Sequence, residues 1–424
     1  MLSVYFQTFG CQMNSADSDV VRGLLFERGF VESGSPSDSA LIVVNTCSVR
    51  EAAERRALAR IAEFANGKRA RPGQKLWVIG CMAERLGEKL KERIGGIDLV
   101  IGAKLMESIE EVIEAQFPIN QVCGDVSSPL FRKTPVTDFV TILRGCDNYC
   151  AYCIVPYVRG HEQSVPYNII EEQVLEKVGA GVKEITFLGQ NVNSYNYNGI
   201  DFPQLLYEIS EIKGLERIRF TTSHPKDCTE KLIDVMASSP KIATHIHLPV
   251  QAGSDRVLSL MNRKYTSSRY LYLIDMIRKR IPSADITSDI LVGFPTETDS
   301  EFRETLSLVR EARFTTAFMF AYSPREGTAA AGMEGEIPKQ EKLSRLAELI
   351  ALQTEITREI YEKTVGQELE VLITEKQQKR DKAWMGQDKG CKRILISCEE
   401  LVAGMIFKVK AIRSTGMTLI VERI

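Results

Sequence analysis

The chain has 424 residues, 44% of them apolar and 26% charged, with a formal net charge of −2. That length suggests several domains, and the composition is that of ordinary soluble globular chains. A protein coated in positive charge is excluded, and no apolar run reaches the roughly 18–20 residues of a spanning helix. The first basic residue is Arg22, after the first apolar stretch, so no secretory signal is expected and the chain reads as cytoplasmic. Ten cysteines in such a chain point to metal or redox chemistry, not disulfides. Only four histidines are present, against a His-rich zinc or haem site, and neither a P-loop nor a GxGxxG fingerprint occurs.

Residues 1–117 alternate β runs with helical stretches. SVYFQTFG reads as a strand, after which Val20, Val21, Leu24 and Leu25 recur at helical spacing. ALIVVNT is a near-continuous apolar strand, followed by the helix-forming EAAERRALARIAEFA. KLWVIG and IDLVIG are two more strands. This alternation predicts an open parallel α/β sheet with helices on both faces. The first three strands each end on a cysteine: Cys11, Cys47 and Cys81. Ligands of open α/β sheets sit outside the carboxyl ends of strands, so the topology delivers three thiols to one edge. Three unrelated buried cysteines are the alternative, since buried cysteine is common.

A connector from Pro118 to about Pro135 leads into residues 132–362. There VTILRG, EITFLGQ, RIRFTTS, THIHLPV, ITSDILVGF and AFMFAYS alternate with helical stretches, predicting a partial (βα)6 barrel with its active face at the strand carboxyl ends. A long Glu-, Lys- and Leu-rich helix, about Lys339 to Lys363, closes this part. Residues 363–424 change to short β runs, ELEVLIT, RILISC, MIFKVKAI and TLIVERI, which predict a small all-β barrel. Between Lys376 and Arg393 seven cations stand against Asp381 and Asp388, with Trp384 among them. A basic, aromatic-bearing loop suits RNA backbone contact and base stacking, with Lys379, Arg380, Lys382 and Trp384 as its candidates. A solvated charged loop is the bland alternative.

The strongest local signal is the CxxxCxxC of Cys146, Cys150 and Cys153, just after the first central strand. A structural zinc would want a fourth ligand, and only His161 is near in sequence. An iron–sulfur cube usually takes four thiolates, so three leave one iron open. The amino and carboxylate groups of S-adenosylmethionine can chelate such an iron. One electron then cleaves the sulfonium and releases a 5′-deoxyadenosyl radical, chemistry that the cofactor carries and the protein positions. Tyr152, before the last cysteine, fits the radical-SAM pattern. The strand-end triad also offers three ligands and no obvious fourth. A sulfur-bearing cluster beside a radical generator is equipment for putting sulfur into an unactivated C–H bond.

Over nearly its full length the chain resembles the radical-SAM methylthiotransferases. The resemblance rests on TFGCQMNSADSD (8–19), NTCSVRE (45–51), GCMAER (80–85), RGCDNYCAYCIVPYVRG (144–160), LGQNVNSY (188–195), RFTTSHPKD (219–227), HLPVQAGSDRVLSLMNRKYT (247–266) and DILVGFPTET (289–298). It implies an N-terminal methylthiotransferase domain (1–117), a radical-SAM domain (132–362) and a C-terminal TRAM domain (363–424). It further implies a radical-SAM 4Fe-4S cluster on Cys146, Cys150 and Cys153, and an auxiliary 4Fe-4S cluster on Cys11, Cys47 and Cys81. GCQMN at the first cysteine is similar to the branch acting on isopentenyladenosine. Two other branches act on a ribosomal protein and on threonylcarbamoyladenosine. The implied substrate is N6-isopentenyladenosine at adenosine 37, in a tRNA anticodon stem-loop, methylthiolated at carbon 2. One S-adenosylmethionine gives the methyl group and another the radical. An electron donor such as flavodoxin or ferredoxin, a sulfur donor system and a monomeric state complete the expectation. The family commonly reads RGRExSRP after the cluster loop, whereas His161 and Val165 stand here in place of arginines.

No catalytic residue is expected beyond the cluster ligands. Gly189, Gln190 and Asn191 follow a strand, where glycine would let a ligand approach the backbone or merely form a turn. Gln251 and Ser254 end another strand and are candidate contacts for S-adenosylmethionine or the nucleobase. Asp289 is a candidate ribose contact or an internally paired carboxylate. Arg325 is a candidate for RNA phosphate or a carboxylate. Cys123, Cys228, Cys391 and Cys398 have no ligand spacing and read as structural.

Overall fold

The computed structural model describes residues 2–49, 51–118, 135–377 and 382–424. Cys123, Lys379 and Arg380 lie outside them. The chain forms two compact units: Met1–Lys133 with 144–149 and 153–163, and 134–143 with 150–152 and 164–424.

The first unit is built on strands β1 (Ser3–Thr8), β2 (Val31–Glu32), β3 (Leu41–Thr46), β4 (Lys75–Gly80) and β5 (Leu99–Gly102). Their order is β2-β1-β3-β4-β5 and every pairing is parallel. The short β2 is the one strand not anticipated; two residues carry too little pattern to read. All six residues of β3 are buried, because both faces are covered. Ile42, Val44, Leu76 and Val78 pack with Ala57, Ile61 and Phe64 of the helix Glu51–Lys68. Val43, Trp77, Ile79 and Ile101 pack on the other face with Val21, Leu25, Ile109 and Ile113. The alternation of side chains along each strand thus fixes which helix each strand face meets.

In the second unit six parallel strands appear as expected: β6 (Thr137–Thr141), β7 (Glu184–Leu188), β8 (Arg217–Phe220), β9 (His245–His247), β10 (Asp285–Val292) and β11 (Thr316–Ala321). They pair as two sheets of three, β6-β7-β8 and β9-β10-β11, joined by a bridge from Ile218 to Ile242. Val140, Ile185, Phe187, Ile218, Phe220, Ile246, Ile286 and Ile290 face the helix layer and form the main core. Alternate residues, among them Arg219, His247, Thr287, Asp289 and Phe318, therefore lie on the face turned away from that helix layer.

The last five strands, β12 (Glu368–Lys376), β13 (Ala383–Gln387), β14 (Arg393–Ser397), β15 (Ile406–Ser414) and β16 (Leu419–Arg423), close into a barrel. The segment read as one basic loop is corrected here. It contains β13, on which Trp384 packs against the barrel core. The mixed run Ala-Trp-Met-Gly-Gln hides this strand, and Gly386 is needed because an added Cβ would collide with Leu372 O and Val371. Residues 387–392 then reach the amino-terminal ends of the central strands. Lys392 Nζ lies 2.6 and 2.7 Å from the Asp285 carboxylate. Arg217 Nη1 donates to Gln387 O and Asp388 O, both at 3.1 Å, and Arg219 Nε to Glu184 at 2.8 Å. Burial and Asp285 together push the Asp388 carboxyl up to about 6. A cavity of about 560 Å³, lined by Arg278, Arg313, Lys363 and Glu370 among others, opens at this junction. It lies at the opposite end of the strands from Gln251 and Gly189.

No described helix is long and apolar enough to cross a membrane.

Candidate metal centres

Cys11 caps the amino end of the helix Gln12–Glu27, and Cys81 begins the helix Cys81–Leu86. Helix amino termini favour thiolates. Cys47 follows β3 directly and is buried. A ladder of buried amides pins these strand ends. Asn14 Nδ2 donates to Asn45 Oδ1 (2.7 Å) and Thr46 O (2.9 Å), while Asn45 Nδ2 donates to Asn14 O (2.8 Å). Gly80 has φ +97°, and an added Cβ would overlap Asn45 and Thr46, so the turn into Cys81 demands glycine.

Burial pushes the Cys81 thiol up to about 11, opposed by Arg159, with Cys47 and Cys11 adding to the rise. Arg159 is the finding that spacing did not reveal. Its guanidinium is buried, and the wholly buried Asp17 carboxylate holds it at 2.9 Å and Arg144 at 2.8 Å. Burial works against its charge, but Cys81, Asp17 and Cys11 outweigh that and raise its pKa. A buried cation against Cys81, with Cys11 also within its reach, suits an anionic, thiolate-held group. Among the described residues no three His, Cys, Asp or Glu side chains converge as on a single ion. Three thiols with a buried guanidinium against Cys81 fit an anionic, thiolate-held cluster.

In the second triad Cys146 and Cys150 are buried and Cys153 half-buried. Gly145 has φ +76°, and a Cβ there would overlap His161 O. Cys146 N donates to Gly160 O at 3.2 Å, and Asn148 Nδ2 to Cys146 Sγ at 3.3 Å. Tyr149 holds φ +45°, a left-handed conformation that strains a non-glycine residue. His161 pairs with Asp147 at 2.9 Å and stays exposed, so its ring is turned to a neighbouring carboxylate. Cys150 Sγ accepts from Arg263 Nη1 at 3.3 Å. Arg263 is buried and also donates to Pro249 O (2.8 Å) and Tyr265 Oη (2.9 Å). Each triad thus has a guanidinium against one cysteine, and neither arginine was singled out by spacing.

The remaining candidates divide. Gly189 packs against Leu143 and Val192, where a Cβ would sit 3.1 Å from each, so its close neighbours are its own chain. Asn191 donates to Asp227 at 2.8 Å. Gln190 Oε1 and Asn191 Oδ1 are buried acceptors without a partner. Gln251 takes φ +72° and bridges to Ile290, a strained strand end. Ser254 Oγ caps the helix Asp255–Leu260 and bonds Glu301 at 3.2 Å. Asp289 Oδ1 lies 3.5 Å from His247 Nε2. Arg325 O accepts from Thr328 Oγ1 at 2.7 Å. Lys382 is exposed and pairs with Glu399. Cys228 and Cys391 are held protonated chiefly by burial.

Half-barrel strands with a three-cysteine loop after the first of them define a radical-SAM protein. Residues 140–309 match the Radical SAM superfamily, and residues 3–102 match Uncharacterized protein family UPF0004. The chain is 43% identical over 377 residues to tRNA-2-methylthio-N(6)-dimethylallyladenosine synthase of Thermodesulfovibrio yellowstonii, covering 88% of each chain. With the enzyme of that name from Carboxydothermus hydrogenoformans it shares 41% over 425 residues, 96% of each. The chain belongs to the tRNA-2-methylthio-N(6)-dimethylallyladenosine synthase family. Among solved structures, its fold is similar to the radical S-adenosylmethionine methyltransferase TsrM from Kitasatospora setae. The TM-score is 0.58 at 13% identity, over 78% of this chain and 77% of that one.

Proposed function

We infer that the chain is a tRNA methylthiotransferase that converts N6-isopentenyladenosine at adenosine 37 to its 2-methylthio derivative. The observation that carries this is the pair of three-cysteine sets, one at strand ends and one on a single loop, each with a buried guanidinium against one thiol. When bound, two 4Fe-4S clusters and S-adenosylmethionine supply the one-electron chemistry, the sulfur and the methyl group. Cys146, Cys150 and Cys153 would hold one cluster, and Cys11, Cys47 and Cys81 the other. Arg263 holds Cys150 in place, and Arg159, anchored by Asp17, offsets negative charge at Cys81. The strained Gln251 backbone and the unpartnered acceptors of Gln190 and Asn191 support contacts with S-adenosylmethionine or substrate at the strand carboxyl ends. Ser254 and Gly189 act there through the backbone they shape.

Residues 1–117 serve as the sulfur-handling domain, 132–362 as the radical domain and 363–424 as the RNA-holding domain. Lys379, Arg380, Lys382 and Arg325 are the cations offered to phosphate. Trp384 keeps a stacking role only through its exposed edge, since the indole packs on the barrel core. The enzyme works in the cytoplasm as a monomer, with a flavodoxin- or ferredoxin-type reductant and a sulfur donor system. The test is nucleoside mass spectrometry of an isopentenyladenosine-containing stem-loop after anaerobic incubation with the reconstituted protein. A 2-methylthio product is expected, and an unchanged nucleoside beside normal S-adenosylmethionine cleavage would overturn the assignment.

A further inference from the structure

The face of the central strands turned away from the helix layer carries a group of side chains that the six cysteines do not account for. Phe318 is 53% exposed there. It stands opposite Asp289 in the register of β10 and β11. The His247 ring meets it edge-on, with centroids 6.0 Å apart. An open aromatic face beside a carboxylate and an imidazole is a recognition surface in search of a flat, hydrogen-bonding ligand.

A hydrogen-bond chain fixes the polar half of this surface. Thr287 Oγ1 lies 2.8 Å from His245 Nε2 and 3.0 Å from His247 Nδ1. The Thr287 hydroxyl, with one donor and two acceptor sites, thus ties the two rings together. Burial, with Arg219 and His247 facing it, drives His245 down to about 3, so its ring is neutral. The other ring nitrogen of His247, Nε2, lies 3.5 Å from Asp289 Oδ1. The Asp289 carboxylate beside His247 remains 30% exposed and keeps spare acceptor capacity next to Phe318. Ile286 and Ile290, the residues alternating with Thr287 and Asp289, are wholly taken up by the core. The polar and aromatic groups opposite them have no such packing role.

We propose that Phe318, Asp289 and His247 form an adenine site, in which the ring stacks on Phe318 and its N6–H donates to Asp289. This rests on the reading above, which brings two adenosines to the protein: that of S-adenosylmethionine and that of the tRNA. Both retain a hydrogen on N6, so both present the same chemistry, and binding measurements separate them. An acceptor-only carboxylate rejects a 6-oxo purine at that position, because two acceptors would face each other.

The experiment uses the reconstituted holoenzyme and its Phe318→Ala, Phe318→Tyr and Asp289→Asn variants. Two probes are titrated separately: S-adenosylmethionine, and an anticodon stem-loop carrying N6-isopentenyladenosine. Phe318→Ala is expected to weaken one of the two by about 10-fold or more, with Phe318→Tyr restoring it. Asp289→Asn should weaken the same probe. Loss confined to the stem-loop assigns the site to the tRNA base, and loss confined to S-adenosylmethionine assigns it to the cofactor; either supports the site. Affinities for both probes within two-fold of wild type, in variants with full iron content, overturn it. Should wild type cleave S-adenosylmethionine yet form no methylthio product, the enzymatic reading fails. The S-adenosylmethionine titration of the variants then still decides the site.

Discussion

The two cysteine triads reach similar surroundings by opposite routes. Cys146, Cys150 and Cys153 lie within eight residues of one loop, whereas Cys11, Cys47 and Cys81 come from three strand ends. The loop triad needs local backbone devices: Gly145 at φ +76° and Tyr149 at φ +45°. The strand-end triad needs a whole parallel sheet and a buried amide ladder from Asn14 to Thr46. Yet each has one buried arginine aimed at one thiol, Arg263 at Cys150 and Arg159 at Cys81. The difference lies in how the arginine is held. Arg263 is bound by neutral groups, Pro249 O and Tyr265 Oη, so its charge is left for the cysteine side. Arg159 shares its charge with the buried Asp17. A neutral anchorage leaves a full cation to favour anionic sulfur; an anionic anchorage fixes position more than charge.

The comparison breaks first at the ligands. Replacing Cys150→Ala leaves two thiolates on the loop, and S-adenosylmethionine cleavage should vanish. Near-normal 5′-deoxyadenosine under anaerobic, reducing conditions would remove the loop triad from the account. Next come the two arginine anchorages. Arg263→Gln keeps a donor but removes the charge, and a lost ligand-supporting partner commonly costs about 10–100-fold. Cleavage and methylthio formation should fall together by that factor, because both depend on the loop. Asp17→Asn should act on one side only. It releases Arg144 and Arg159 from their shared carboxylate. Methylthio product should fall about 10-fold, while cleavage without RNA stays within two-fold and the low-temperature spectrum of the strand-end cluster changes. Equal loss of both activities would show that Asp17 serves the fold of the unit and not one triad.

How far each part was legible follows the range of the interactions. Strands β1 and β3–β5 and all six central strands could be read, because alternation is a local signal, and spacing alone singled out the six cysteines proposed as ligands. Arg159 and Arg263 could not, although both stand in quoted motifs. Asp17 and Arg159 are 142 residues apart, and Cys150 and Arg263 are 113 apart. An arginine has no periodicity that marks it as buried. For the same reason Lys392 looked like part of a basic loop, when Asp285 in fact draws it inside. Strand β13 was missed because its five residues lack alternation and sit among charges. Phe318 lies unmarked within the strand AFMFAYS, and only the side of the sheet it takes sets it apart.

The claim that two separate clusters divide the labour is tested most directly by one protein, the Cys11→Ala, Cys47→Ala, Cys81→Ala triple variant. Its iron content, S-adenosylmethionine cleavage and methylthio product are measured together after anaerobic reconstitution. The account predicts about half the wild-type iron, since one of two equal 4Fe-4S clusters remains. Cleavage should continue, and no methylthio product should form. Loss of all iron, or continued methylthiolation with the strand-end thiols gone, would contradict it.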